Sequence, residues 1–243
     1  MKLHLEDHCA WAPSLETEEQ WEQWASGSCE IECSTVVPPL EHMSKISKRR
    51  LSQLTKMVLQ TGHDLIVKNR PDHVIFCSNY GEIRQQYKIT RGLLDSGEIR
   101  PANFSHSVFN TPLSLLTIEE KVRESVNVLL AGDRCLSMGL QAALAHGACH
   151  PKDRQLLIFA DELLPEDYSG LLGKTPPPYA FALMLGPEGT GKAVLDMKEG
   201  ALERGDRSTH PLDFYSWLIK NEEERFTVEA KGSIPYVLNR SSL

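Results

Sequence analysis

The stretch Ser125-Val126-Asn127-Val128-Leu129-Leu130-Ala131, followed by Gly132-Asp133 and then by an Ala-rich run from Leu136 to His146, decides the fold. The Val- and Leu-rich segment reads as a strand, Gly-Asp as a tight turn, and the spaced apolar residues beyond it as a helix. A second run, Leu156-Leu157-Ile158-Phe159-Ala160, is apolar at every position, as a strand covered on both faces must be. Strands of this kind alternating with helices predict an α/β domain with a mixed central sheet and flanking helices.

Working outward, Val74 to Ser78 is a buried strand ended by Asn79-Tyr80-Gly81, and a helix follows from Glu82 to about Ser96. Apolar residues three and four apart predict one amphipathic helix from Lys45 to about His63. Its basic start, Lys45, Lys48, Arg49 and Arg50, reads as a solvated turn in preference to a docking patch. Phe104 to Ile118 is helical in spacing, with Asn110 or Thr111 capping its regular part and Pro112 ill-suited to a helix interior. Ala180 to Leu185 and Ala193 to Met197 flank a glycine-rich loop like the arms of a hairpin. Leu212 to Lys220 reads as a short helix, and Phe226 to Leu238 as a strand pair turning at Lys231-Gly232. Near the N-terminus, Ala10 to Pro39 reads as a short strand, a helix around Glu18 to Trp24 and loop, with the Trp residues anchoring it. The expectation is one domain over 1–243, with 1–44 as an N-terminal lead-in and 199–243 as a C-terminal extension.

The composition excludes some functions. A formal net charge of -7 over 243 residues argues against a general nucleic-acid binder, which needs surplus Lys and Arg to neutralise phosphates. No run approaches the roughly 20 apolar residues of a membrane span, and Glu6 and Asp7 lie where a secretory signal needs apolar residues. The expected compartment is the cytoplasm. The six cysteines form no C-x-x-C pair, and neither a metal nor another cofactor is expected.

Gly186-Pro187-Glu188-Gly189-Thr190-Gly191-Lys192 matches most of a phosphate-binding loop, which leaves a P-loop-like nucleotide-binding protein as one alternative. Ala193 then replaces the hydroxyl that would ligate magnesium, and strand-like residues follow where a helix should begin, so a hairpin turn is preferred. The run from Leu157 to Glu162 imitates the second nucleotide motif but lies upstream of the loop. His146 and His150 suit a helix C-terminus that Gly147 closes in the left-handed conformation. Asp133 enters the central helix as its expected N-cap, worth about 1 kcal/mol.

Trp11-Ala12-Pro13, Arg49-Arg50-Leu51-Ser52-Gln53-Leu54, Ser78-Asn79-Tyr80-Gly81-Glu82, the run from Phe104 to Asn110, Ala131-Gly132-Asp133, the run from Ala160 to Pro165 and Leu212-Asp213-Phe214 occur in this order. Together they resemble the N-terminal ketosynthase-like domains, or chain-length factors, that accompany aryl polyene and type II polyketide synthases. The resemblance implies a truncated thiolase-like fold, the N-terminal half of a ketosynthase. In a working ketosynthase a cysteine at a helix N-terminus holds the acyl chain, and two histidines of the second half drive condensation. By this resemblance Asp133 stands at the cysteine's position, and a carboxylate there would give an anhydride, uphill from a thioester. The histidine motif of the second half is also missing, which implies a non-catalytic subunit. Cys135, two residues on, leaves a cysteine-dependent acyltransferase or hydrolase as the second alternative. The implied partner is a catalytic beta-ketoacyl synthase, with an acyl carrier protein engaged indirectly. Phe104, Phe109, Asn110, Leu113, Leu115 and Leu116 are the implied interface and tunnel-shaping residues.

Overall fold

A computed structural model describes residues 1–97, 104–168, 175–200 and 207–242; of the C-terminal extension expected over 199–243, residues 201–206 and 243 lie outside the described residues. Eight strands form one mixed sheet: β1 (Lys2–Trp11), β2 (His73–Ser78), β3 (Ser125–Leu130), β4 (Gln155–Asp161), β5 (Tyr179–Gly186), β6 (Ala193–Glu199), β7 (Arg225–Val228) and β8 (Tyr236–Ser242). Their order is β3-β2-β4-β5-β1-β6-β8-β7. β2 lies parallel to both β3 and β4, and every other pairing is antiparallel.

Side-chain alternation along the strands divides the core in two. Ile75, Cys77, Leu157, Phe159, Phe181 and Leu183 point to one face, covered by α1 (Glu18–Ala25), α6 (Cys135–Cys149) and α7 (Pro211–Lys220). Val74, Phe76, Leu156, Ile158, Ala182 and Met184 point to the other, covered by α3 (Gln53–Ile66) and α5 (Thr111–Glu119). The Ala-rich α6 lies close on the sheet because Gly139 faces it. A Cβ there would come within 2.7 Å of Cys77 Sγ and of the Phe159 ring.

The predicted central strands and the helices at 18–25, 83–96 (α4, Ile83–Ser96) and 211–220 form as expected. Elsewhere the structure corrects the reading. The single helix over 45–63 is two: α2 (Lys45–Lys48) ends, and α3 starts afresh where Ser52 Oγ accepts the Thr55 amide at 2.9 Å. The hairpin at 180–197 does not form, because β1 lies between β5 and β6 and pairs antiparallel with both. Two strands flanking a common neighbour carry the same alternation as two hairpin arms, so the pattern could not tell them apart. The short N-terminal strand is a ten-residue one in mid-sheet. Asp133 is not the N-cap of α6; it sits exposed in a 3-10 turn, Gly132–Arg134, and Arg134 takes the cap position without a side-chain bond. Gly147 does not close the helix, which runs on to Cys149 and ends at His150.

Candidate functional site

The sheet ends on β3, which pairs with β2 on one side only, so its other edge offers unpaired backbone donors and acceptors among the described residues. Val126 and Leu130 on this edge strand are exposed. Beside it lies an apolar shoulder. Phe109 and Leu130 converge on Gly81, whose backbone is left-handed at φ +59; a Cβ there would lie 3.1 Å from Phe109 and 3.3 Å from Leu130. Phe104, 61% exposed, and Val108 continue the patch, and Gln86 Nε2 ties α4 to it by donating to the Ser107 carbonyl at 3.4 Å. α4 itself has no buried residue and leaves Leu93 and Leu94 exposed. An open edge next to exposed aromatic and aliphatic side chains is what one chain offers another for docking.

The six residues expected to form the interface separate into two groups. Phe104, Phe109 and Asn110 are exposed on the shoulder. Leu113 and Leu116, at 1% and 0% exposure, belong to the core beneath α5, and Leu115 is half-buried against it. Helical spacing identified a common apolar side without indicating that it faces inward.

A buried carboxylate latch, absent from the sequence expectations, fixes the turn that carries the shoulder. Asp161, at the end of β4, accepts from Ser78 Oγ at 2.7 Å, Asn79 N at 2.8 Å, Asn79 Nδ2 at 2.7 Å, Tyr80 N at 3.1 Å and Tyr179 OH at 3.2 Å. Burial raises its pKa to about 6 although these donors pull it down. Next to it, Glu162 accepts the Arg84 amide, and Glu82 accepts from Ser52 Oγ and Thr55 Oγ1; among the described residues each keeps a second buried oxygen without a partner. Burial, and for Glu162 also the charge of Glu82, pushes Glu82 up to about 7 and Glu162 up to about 8. Their signal was available only as acidic residues set immediately against apolar strands. Glu162 also lines a cleft of about 710 Å³ with Arg49, Arg50, Lys56, Arg84 and Lys88, an arrangement attractive to anions.

The raised values have a definite sign. Between the ordinary 4.5 of Glu162 and about 8, the folded chain holds a proton that the unfolded chain has released, so stability falls as pH rises through that window. Glu162→Gln removes the titration. The variant is therefore expected to gain stability over the parent on going from pH 5 to pH 8, by an amount on the order of a few kcal/mol. Urea unfolding of both proteins at the two pH values measures it, and an equal difference at both would refute the assignment.

The family model described as "Beta-ketoacyl synthase, N-terminal domain" matches residues 21–232. The chain belongs to the beta-ketoacyl synthase family. No curated protein sequence matches it. One chain of a ketosynthase, ApeO, in complex with its chain length factor, ApeC, from Xenorhabdus doucetiae superimposes with a TM-score of 0.81 and 25% identity, over 98% of this chain and 99% of that one. The ishigamide ketosynthase/chain length factor superimposes with a TM-score of 0.64 at 11% identity, over 82% and 68% of the two chains. The ketosynthase from module 6 of the bacillaene synthase from Bacillus subtilis 168 gives 0.60 at 10%, over 85% of this chain and 45% of that one. The last two likenesses establish the shared thiolase-like fold. The mixed sheet with flanking helices is thus that of a ketosynthase N-terminal domain.

Within this ketosynthase domain, Cys135 is the first residue of α6 and fully buried. The neighbouring Cys77 thiol and burial both push its pKa well above the ordinary thiol range, the opposite of what a thiolate nucleophile needs. The loop from Gly186 to Lys192 leads into a strand and arches over β1: the Lys192 amide donates to the Leu5 carbonyl at 2.7 Å, and its Nζ lies 3.3 Å from Asp7. No helix N-terminus follows to face a phosphate. Among the described residues no helix is long and apolar enough to cross a membrane.

Proposed function

We propose that the chain is a non-catalytic, chain-length-factor-like subunit that pairs with an active beta-ketoacyl synthase, stabilises it and shapes its acyl tunnel during polyene or polyketide synthesis, aryl polyenes being the product class implied by the sequence motifs. The observation that carries this reading is the end-to-end match, 98% and 99%, to one chain of a ketosynthase and chain length factor complex. The match covers less than half of the bacillaene ketosynthase's length. The open β3 edge and the Phe104–Phe109 shoulder would be covered by the ketosynthase, and Phe109 and Asn110 would reach toward its tunnel. The buried, undissociated thiol of Cys135 and the exposed Asp133 support a role without chemistry, the acyl chain being carried on the partner and delivered by an acyl carrier protein.

Co-expression with the cognate ketosynthase tests the proposal. The two chains are expected to co-elute as a mixed oligomer, and a thiol-alkylating acyl analogue to label the ketosynthase and leave Cys135 unmodified. Separate elution, or labelling of Cys135, overturns it.

A further inference from the structure

Independently of that reading, we propose that His42, His63 and Glu120 form a binding site for a divalent transition-metal ion of the zinc class. The three come from separate segments: His42 from the turn before α2, His63 from the last turn of α3, and Glu120 from the residue that caps α5. One ligand atom from each lies within 4.8 Å of the other two. His63 Nδ1 sits 2.8 Å from Glu120 Oε1, and the His42 ring stacks on that of His63 with centroids 3.7 Å apart. Two imidazoles and one carboxylate are a donor set suited to zinc and its neighbours, and three protein ligands leave one position for water.

Two further features point to a ligand. His42 Nε2 is buried and has no hydrogen-bond partner among the described residues, so this ring carries an unsatisfied nitrogen. Burial, and then the neighbouring His63, lower the pKa of His42, the direction that favours the neutral ring a ligand needs. The backbone is also set unusually on both sides of the cluster. Leu40 and Lys121 are left-handed at φ 48 and 54, two of only four such non-glycine residues among those described, and Leu40 is wholly buried. The lone pairs of stacked rings lie in two nearly parallel planes, and one ion cannot lie in both at about 2.1 Å from each ring, so binding requires the His42 ring to turn about its Cβ–Cγ bond. The bound ion would link the N-terminal segment to the ends of both helices that cover one sheet face.

A second histidine group provides the control. His73, His146 and His150 stack in series, but Asp153 already holds His146 and Ser125 holds His73. Tag-free protein stripped with a chelator is titrated with Co²⁺, read by its visible d–d absorption, and then with Zn²⁺ in competition. One equivalent is expected to bind, and a hundredfold excess over the Kd to raise the melting temperature by about 5–10 °C. His42→Gln, His63→Ala and Glu120→Gln should each weaken binding at least tenfold, while His146→Ala leaves it unchanged. Failure of the parent protein to bind one equivalent, binding unaffected by all three substitutions, or binding lost in His146→Ala overturns the assignment. The first outcome needs no variant to fold.

Discussion

Substituting Phe109→Asp together with Leu130→Asp is expected to abolish the complex with the ketosynthase while the free chain stays folded. Both side chains project from the surface, Phe109 at 48% and Leu130 at 38% exposure, and meet over Gly81 beside the unpaired edge of β3. In a complex they would be buried at the centre of the contact, where losing an aromatic or aliphatic anchor costs about 2 kcal/mol or more, roughly thirtyfold in Kd each. Burying an unpaired carboxylate adds to that cost. In the free chain the same carboxylates remain hydrated, so the expected loss of stability is under about 1 kcal/mol. Leu113→Ala and Leu116→Ala should behave in the opposite way. Their side chains are buried in the core under α5, so each is expected to cost about 2–5 kcal/mol of stability and to leave the affinity of the surviving folded protein little changed. Titration calorimetry against the ketosynthase, paired with urea unfolding of the free chains, separates the two classes. Unimpaired binding by the double Asp variant would remove the shoulder from the interface.

What was legible in the sequence was what neighbouring residues encode. β3, the turn at Gly132 and α6 were readable because one contiguous stretch carries strand, turn and helix signals in sequence; β4 was readable because every position from Leu156 to Ala160 is apolar, as burial on both faces requires. β1 was not, since Glu6 and Asp7 interrupt its pattern at an irregularity in the pairing. There the Glu6 carboxylate is taken up by Arg154, a partner 148 positions away that no local window contains. The same distance limit hid the latch. Glu82 meets Thr55 27 positions back and Asp161 meets Ser78 83 positions back, and the chain reveals these pairs only after the sheet has formed. Exposed aromatics such as Phe109 were recognisable as candidates, whereas deciding that Leu113 and Leu116 face the core required knowing that α3 lies against α5.

The latch makes the second large prediction. Asp161→Ala deprives five donors of their acceptor at once, including the Ser78 and Tyr179 hydroxyls, which are themselves buried. A buried donor left unsatisfied costs about 1–3 kcal/mol, so a loss of at least 3–5 kcal/mol is expected, a large fraction of a typical folding free energy. The turn from Ser78 to Gly81 would also lose its fixed shape, and with it the platform on which Phe109 and Leu130 meet. Affinity for the ketosynthase should therefore fall too. Asp161→Asn should behave differently, for a reason visible in the geometry. The Ser78 hydroxyl and the amides of Asn79 and Tyr80 all donate to one carboxylate oxygen, Oδ1, which an amide oxygen can replace. The other oxygen becomes an NH2, facing Asn79 Nδ2 and the Tyr179 hydroxyl. The Asn79 side chain can flip to present its own Oδ1, which is buried and without a partner in the parent, and the Tyr179 hydroxyl can rotate to accept. Asp161→Asn is accordingly expected to lie within about 1 kcal/mol of the parent in urea unfolding. A loss as large as that of the Ala variant would mean that the negative charge, and not the number of acceptors, holds the turn.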